Sequence, residues 1–197
     1  MEFREVVRRR RMVRNYDPDK AVARKAVELI VEAAQRAPSA GFSQGQRLVV
    51  VTEPERRQAI AEVCDESWYV AAGFDPWISR APALIVPCVS EEVYRARYRE
   101  PDKRRPGEPE TEWPIPYWWV DIGASWMLIM LAAVDEGLAS GFLGVDRVGE
   151  LAALLELPAD FTPIGVVTVG YPLPDRRSGS LKRGWVPLER FVRWERW

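Results

Sequence analysis

Arginines crowd the start of the chain and are its most obvious candidates for chemistry. The run Arg8–Arg11 is uninterrupted, and Arg14 follows three residues later. A guanidinium offers paired N–H donors that match two phosphate oxygens. If a helix predicted over 2–11 continued, Arg10 and Arg14 would share one side of it. Composition alone favours a solvated basic face or a nucleic-acid patch, with phosphate binding as the alternative.

Two segments of small residues could bring the backbone against a flat ligand. The first is the loop Pro38–Gly41, and the second is the segment Gly141–Gly144. Small side chains let a ring approach the backbone, and free amides can donate hydrogen bonds to it. Taken alone, the first segment could equally be a helix-to-strand turn, and the second a glycine-rich connection between helices.

The residue types that are missing restrict the chemistry further. Histidine is absent, which excludes Ser-His-Asp and Cys-His catalysis and histidine metal sites. The two cysteines, Cys64 and Cys88, are too few for a zinc site and are predicted to be inert buried thiols. Redox or group-transfer chemistry would therefore need an organic cofactor.

Length and charge set the broad class. The 197 residues suit one domain spanning 1–197, and the net charge of −1 gives no drive toward nucleic acid or acidic membranes. The longest apolar stretch, Ile122–Val134, falls short of the roughly 20 residues that span a bilayer. With no signal-like start, a cytoplasmic protein is expected.

The apolar patterns predict an α+β domain, a small sheet between helices. The spacing indicates a helix from the turn Tyr16–Asp19 to Ala37, with further helices over 55–63, 118–137 and 146–155. Strands are predicted over 48–51, 83–86 and 164–169. The first of these is expected to be buried on both faces. The second should end, or lie at an edge, at Pro87.

Residues 90–119 change character and are predicted to be an excursion or lid, with a short helix over 91–99. Four aromatic residues near its end could stack on a planar molecule, although at least two of them should serve packing instead. They are Trp113, Tyr117, Trp118 and Trp119. The basic, aromatic tail over 175–197 and a helix apolar on nearly every face indicate more apolar surface than a small monomer hides.

Three segments together resemble the nitroreductase family of FMN enzymes. They are Arg10–Tyr16, Ala37–Gln44 and Gly137–Gly144, with Gly170-Tyr171-Pro172 downstream. The segments occur in the family's order and are spread over almost the whole chain. Met12 stands where a serine is common, and Phe42 stands where many members have asparagine, so contacts made by those side chains elsewhere do not carry over.

The resemblance implies a small, mostly antiparallel sheet flanked by helices in an intertwined homodimer. Two FMN sites would lie at the interface, each lined by both subunits, and residues of the tail would reach the partner. The implied FMN contacts are Arg10, Arg11, Met12, Arg14, Pro38, Ser39, Ala40, Gly41, Gln44, Phe142, Leu143, Gly144 and Arg183. Phe42, Trp113 and Tyr117 would line the substrate pocket.

The activity implied by the resemblance is hydride transfer from NADH or NADPH through FMN to an electron-poor acceptor, such as a nitroaromatic or a quinone. The expected order is ping-pong, with no side chain required as acid or base. Dehalogenating, flavin-fragmenting and deazaflavin-using relatives remain alternatives. A non-catalytic flavin-binding protein is another.

Overall fold

The computed structural model describes residues 1–104 and 106–197; Arg105, within the predicted excursion, lies outside them. Its helices are α1 (Phe3–Arg9), α2 (Arg24–Gln35), α3 (Pro54–Val63), α4 (Glu66–Ala71), α5 (Trp77–Arg80), α6 (Glu91–Tyr98), α7 (Tyr117–Asp135), α8 (Val148–Leu154) and α9 (Leu188–Phe191). Its strands are β1 (Gln46–Val51), β2 (Ala83–Val89), β3 (Ala139–Leu143), β4 (Thr162–Pro163) and β5 (Val166–Gly170). Short 3-10 turns span Ala40–Phe42 and Gly179–Arg183.

The strands form one antiparallel sheet in the order β1-β2-β5-β3, and β4 pairs with the far end of β2. Alternate side chains of β2 point to opposite faces of the sheet. Leu84 and Val86 pack in a core with helices α3, α5 and α8, whereas Ile85 packs in a second core with α2 and α7. The predicted α+β arrangement, with a small antiparallel sheet between helices, is confirmed.

The strand predictions need three corrections. β1 is an edge strand with Val50 40% exposed, so it is not buried on both faces. β2 is central and continues through Pro87 to Val89. Pro87 lies opposite the break between β4 and β5, where its carbonyl accepts from the N–H of Ile164. Proline has no N–H, and at this break the sheet does not need one from residue 87. β3 was not predicted, because Ala, Ser and Gly at its start are weak strand formers.

The helix α2 also begins later than predicted. The residues after Tyr16 do form a turn, but the helix starts at Arg24, with Ala23 as its N-cap. The predicted short helix over 91–99 is confirmed as α6, in which the Ser90 hydroxyl accepts from the N–H of Val93. A serine at this position satisfies one of the unpaired donors of the first turn.

The 19-residue helix α7 is long and apolar enough, by length and composition alone, to cross a membrane. A core helix passes the same test, and the inner face of α7 packs on the sheet through Ile129 and Met130. The outer face carries Trp119, Val120 and Met127, which stay exposed in the single chain. The helix is apolar on its inner and outer faces, as predicted. The described residues leave its outer face uncovered.

Both cysteines are buried and free. Burial disfavours the thiolate and raises the pKa of each thiol to about 12. We predict no rapid reaction of the native protein with a thiol reagent at pH 8, and reaction of both thiols after denaturation. Absorbance of the released chromophore measures this, and rapid labelling of either thiol in the folded protein would contradict it.

Candidate functional site

The arginine segment, defined here as residues 10–16, is not helical. Helix α1 ends at Arg9, and Arg10 has φ −59° and ψ 125°. Met12 forms a parallel bridge with Ser140 of β3, and the N–H of Val13 donates to the Ser140 carbonyl at 3.0 Å. The helical path assumed from the sequence is therefore wrong. The basis for placing Arg10 and Arg14 on one side fails with it. The Arg14 guanidinium lies over the rings of Phe74 and Trp77, 5.5 and 5.7 Å from their centres.

Asp175 forms an ion pair with the guanidinium of Arg11 but not with that of Arg10 or Arg14. Its carboxylate is 4% exposed and binds the Arg11 guanidinium at 2.5 Å, while its other oxygen accepts the backbone N–H of Arg14 at 3.0 Å. Among the described residues no carboxylate pairs with the guanidinium of Arg10 or of Arg14. Arg11 is therefore already engaged within the chain, whereas Arg10 and Arg14 are available to an anion.

Buried contacts fix this segment against the sheet. The hydroxyl of Tyr16, a fully buried residue, lies 3.1 Å from the Val13 carbonyl and 2.8 Å from Thr168 Oγ1. Burial raises the pKa of Tyr16, so its phenol remains a neutral donor. A Cβ at Gly141 would lie 2.5 Å from the Val13 carbonyl oxygen. The close approach of the arginine segment to β3 therefore requires glycine at this position.

The sequence did not identify two further residues beside the arginines. The Arg14 guanidinium lies 5.5 Å from the centre of the Phe74 ring, and that of Arg176 lies at the same distance. Arg176 also donates to the Ala72 carbonyl at 2.7 Å. These contacts join three distant parts of the chain, so no local sequence pattern could have indicated them.

Two carbonyls of the loop 38–44 accept hydrogen bonds from the loop itself. The Ser39 carbonyl accepts the N–H of Phe42 at 2.8 Å, and the Ala40 carbonyl accepts both the N–H and the hydroxyl of Ser43. Ser39 Oγ accepts the N–H of Gln44. Among the described residues no acceptor is bonded to the N–H of Ser39 or of Gly41. These two amides are the donors that the loop can offer to a ligand.

The same loop holds unusual backbone angles. Gly41, Phe42 and Gln44 have φ values of 61°, 56° and 54°, in the left-handed region. A Cβ on Gly41 would lie 2.7 Å from the Tyr98 ring, so a side chain at this position would displace that ring as well as strain the backbone. Phe42 is 73% exposed, and its ring is free to contact a planar molecule.

Two side chains from neighbouring helices anchor this loop, and neither was predicted. Asp121 in α7 accepts the N–H of Ala40 at 2.8 Å and the hydroxyl of Tyr94 at 2.9 Å. Arg97 in α6 donates from Nε to the Gly41 carbonyl at 3.0 Å. Its other nitrogens bind the Asp102 carboxylate, and this ion pair lowers the pKa of Asp102 to about 2.

The aromatic candidates divide between packing and surface. Trp113 is half-buried against Tyr98, with ring centroids 4.6 Å apart, and against Trp118, which is 5% exposed. Tyr117 and Trp119 are 43% and 44% exposed. This agrees with the expectation that at least two of the four would serve packing. Of the residues predicted to line the substrate pocket, Phe42 and Tyr117 are exposed.

The remaining predicted contacts are spread out. Phe142 stacks on Trp126, with ring centroids 3.8 Å apart, and Leu143 is buried in the core. Only the backbone of these two residues is suited to a ligand. Gly144 is exposed at the edge of a cleft of about 420 Å³. Arg183 is exposed in the tail and, among the described residues, makes no hydrogen bond to the arginine segment.

The two halves of the predicted site lie at opposite edges of the sheet. The arginine segment pairs with the outer edge of β3, whereas the loop 38–44 leads into β1 at the other edge. Four interstrand steps of about 4.8 Å, the last of them from β3 to the arginine segment, separate this segment from β1 by roughly 19 Å. One chain therefore does not bring the basic group and the free loop amides together.

A model of the "Nitroreductase family" matches residues 7–171, and these include the arginine segment, the loop and β3. The chain belongs to the nitroreductase family. The FMN reductase [NAD(P)H] of Bacillus subtilis is 29% identical over 195 residues, covering 91% of this chain and 68% of that protein. The NADH dehydrogenase of Thermus thermophilus is 27% identical over 198 residues, covering 94% and 92%.

Solved structures agree on the fold. A nitroreductase family protein from Streptococcus pneumoniae superposes with a TM-score of 0.76 at 22% identity, covering 98% of this chain and 99% of that one. Family membership and these relatives identify the protein as an NAD(P)H-dependent flavin oxidoreductase.

Proposed function

We propose that the protein is a homodimer that binds FMN and transfers hydride from NADH or NADPH to an electron-poor acceptor, such as a nitroaromatic or a quinone. The observation that supports this proposal is the division of the site between the two edges of the sheet. A two-fold dimer can place the loop 38–44 of one chain beside the arginine segment of the other. Each flavin would then be held by both subunits.

The residues fit FMN in charge and in donor type. Arg10 and Arg14 lack carboxylate partners among the described residues and would hold the phosphate. The N–H groups of Ser39 and Gly41 would donate to the flavin ring system. FMN, when bound, supplies the hydride chemistry. The chain supplies position, and the exposed rings of Phe42 and Tyr117 would stack on a planar acceptor and exclude water.

Exposed apolar residues support a partner subunit. Beyond the outer face of α7, the tail exposes Trp185, Phe191, Trp194 and Trp197 by 77% or more. So many exposed aromatic side chains in one segment are expected to be covered by a partner. We propose that residues 175–197 form an arm that packs on the partner, that 90–119 form a lid over the site, and that 1–197 act as one unit. Arg183 would reach the flavin phosphate from this arm.

Co-expression of two defective chains tests the shared site. Arg14→Gln damages the basic half, and Gly41→Val damages the loop half, so each variant alone is expected to lose FMN. A mixed dimer has one site built entirely from undamaged halves. Two affinity tags allow mixed dimers to be isolated, and their FMN content is read from absorbance. Failure of the mixed dimer to regain FMN would contradict a site lined by both subunits.

A second experiment tests the activity itself. The wild-type protein is expected to purify yellow, release FMN on denaturation, and lose its flavin colour when NADH or NADPH is added without oxygen. Colourless protein that takes up no FMN would overturn the proposal. A bound flavin bleached by neither nicotinamide would indicate a deazaflavin-type donor or a non-catalytic flavin-binding protein instead.

A further inference from the structure

Asp121 is a buried carboxylate that the proposed hydride transfer does not use. It lies in the second turn of α7 and is 7% exposed. Burial of a carboxylate is unfavourable unless hydrogen-bond donors compensate for the lost water. Its Oδ2 atom accepts from both the Ala40 N–H and the Tyr94 hydroxyl. Two donors, one from the loop and one from α6, therefore meet on a single oxygen.

The loop needs such an anchor because its conformation is intrinsically unfavourable. Phe42 and Gln44 both carry a side chain and have positive φ. Left-handed backbone of this kind persists only when surrounding contacts hold it. Charge-assisted hydrogen bonds are about twice as strong as neutral ones, so the Asp121 carboxylate is a stronger anchor than a serine or an amide would be.

Asp121 fixes the orientation of the Ser39–Ala40 peptide group, and this in turn restricts the orientation of the Ala40–Gly41 peptide group. The Ser39–Ala40 peptide donates its N–H to Asp121, and its carbonyl accepts the N–H of Phe42 at 2.8 Å. Both ends of this peptide are thus bonded. The following peptide uses its carbonyl for Ser43, and its N–H, that of Gly41, is left without an acceptor among the described residues.

We infer that Asp121 is a positioning residue that presents the N–H groups of Ser39 and Gly41 to the flavin. This inference rests on the proposed function, because the flavin supplies the acceptor atoms. Tyr94 completes the anchor. It is fully buried, its ring fills the space beside Gly45, and burial together with Asp121 raises the pKa of its phenol, so that the hydroxyl remains a donor.

Three variants of the full chain test this role. Asp121→Leu removes the acceptor while keeping the same number of side-chain heavy atoms, and it is expected to weaken FMN binding roughly tenfold or more. Asp121→Asn keeps an oxygen acceptor without the charge, and a loss of about threefold is expected because neutral bonds are about half as strong. Ser125→Ala is the control, since Ser125 is buried one turn further along α7 and has no hydrogen bond to the loop among the described residues.

Two readouts distinguish positioning from a loss of stability. The visible absorption bands of FMN should shift in Asp121→Asn but not in Ser125→Ala, because the loop donors move. Hydrogen exchange of the peptide covering 38–44 should also be faster in both Asp121 variants, with or without FMN. Neither effect is expected from a change elsewhere in the helix.

The outcomes separate this inference from the proposed function. If Asp121→Leu folds and binds FMN like the wild type, with an unchanged spectrum, the inference is overturned and the proposed function stands. If Asp121→Leu does not fold, Asp121→Asn decides. Wild-type affinity and spectrum would then overturn the inference, and weaker binding with shifted bands would support it. A wild-type protein that binds no FMN overturns the proposed function.

Discussion

Replacing Arg14 with glutamine is expected to weaken FMN binding by about ten- to hundredfold. Loss of a hydrogen-bonded charge costs roughly 1.5–3 kcal/mol, and glutamine can supply one donor pair but no positive charge. The Arg14 guanidinium has no carboxylate partner among the described residues, so its charge is available to the phosphate. Arg10→Gln should show a loss of similar size. Titration of the flavin-free protein with FMN, followed by fluorescence, measures both.

Two other arginines provide matched controls for this prediction. Arg8→Gln should leave FMN affinity unchanged, because Arg8 is exposed at the end of α1. Arg11→Gln should mainly lower stability, because it leaves the nearly buried carboxylate of Asp175 without its cation. If Arg11→Gln weakens FMN binding as much as Arg14→Gln does, the division of roles between these arginines is wrong.

Gly141→Ala is expected to cost about 1–3 kcal/mol in the free energy of unfolding and to weaken FMN binding as well. The new Cβ would lie 2.5 Å from the Val13 carbonyl oxygen and 3.0 Å from Thr168 Oγ1. Because Val13 belongs to the arginine segment, the backbone that carries Arg14 must move away from β3. Thermal unfolding and FMN titration on one protein preparation would show both losses together.

Gly149→Ala is the control for this substitution. Gly149 lies in α8, and a Cβ there meets no atom within 4 Å. Alanine inside a helix is favoured over glycine by about 0.5–1 kcal/mol, so this variant should be slightly more stable than the wild type. A Gly141→Ala protein that unfolds at the wild-type temperature would show that the arginine segment is not held against β3 as described.

Local patterns sufficed for much of the fold. The apolar run at Ala83–Val86 predicted a strand, and the short helix predicted over 91–99 lies where α6 is found. Local patterns failed where tertiary contacts outweigh the local preference of the residues for helix, strand or loop. β3 contains Ala139, Ser140 and Gly141, and it is a strand because β5 pairs with it on one side and the arginine segment lies on the other.

The sequence by itself determined the chemistry that is possible: arginines for an anion, loop amides for a ring, and no histidine for acid-base catalysis. Only the tertiary structure decided which groups are available. Asp175 engages Arg11 across 164 residues, and Asp121 anchors Ala40 across 81. Such pairs depend on how distant elements pack, and no periodicity along the chain records that packing. The placement of the two half-sites at opposite edges follows from strand order, which is likewise a property of the folded sheet.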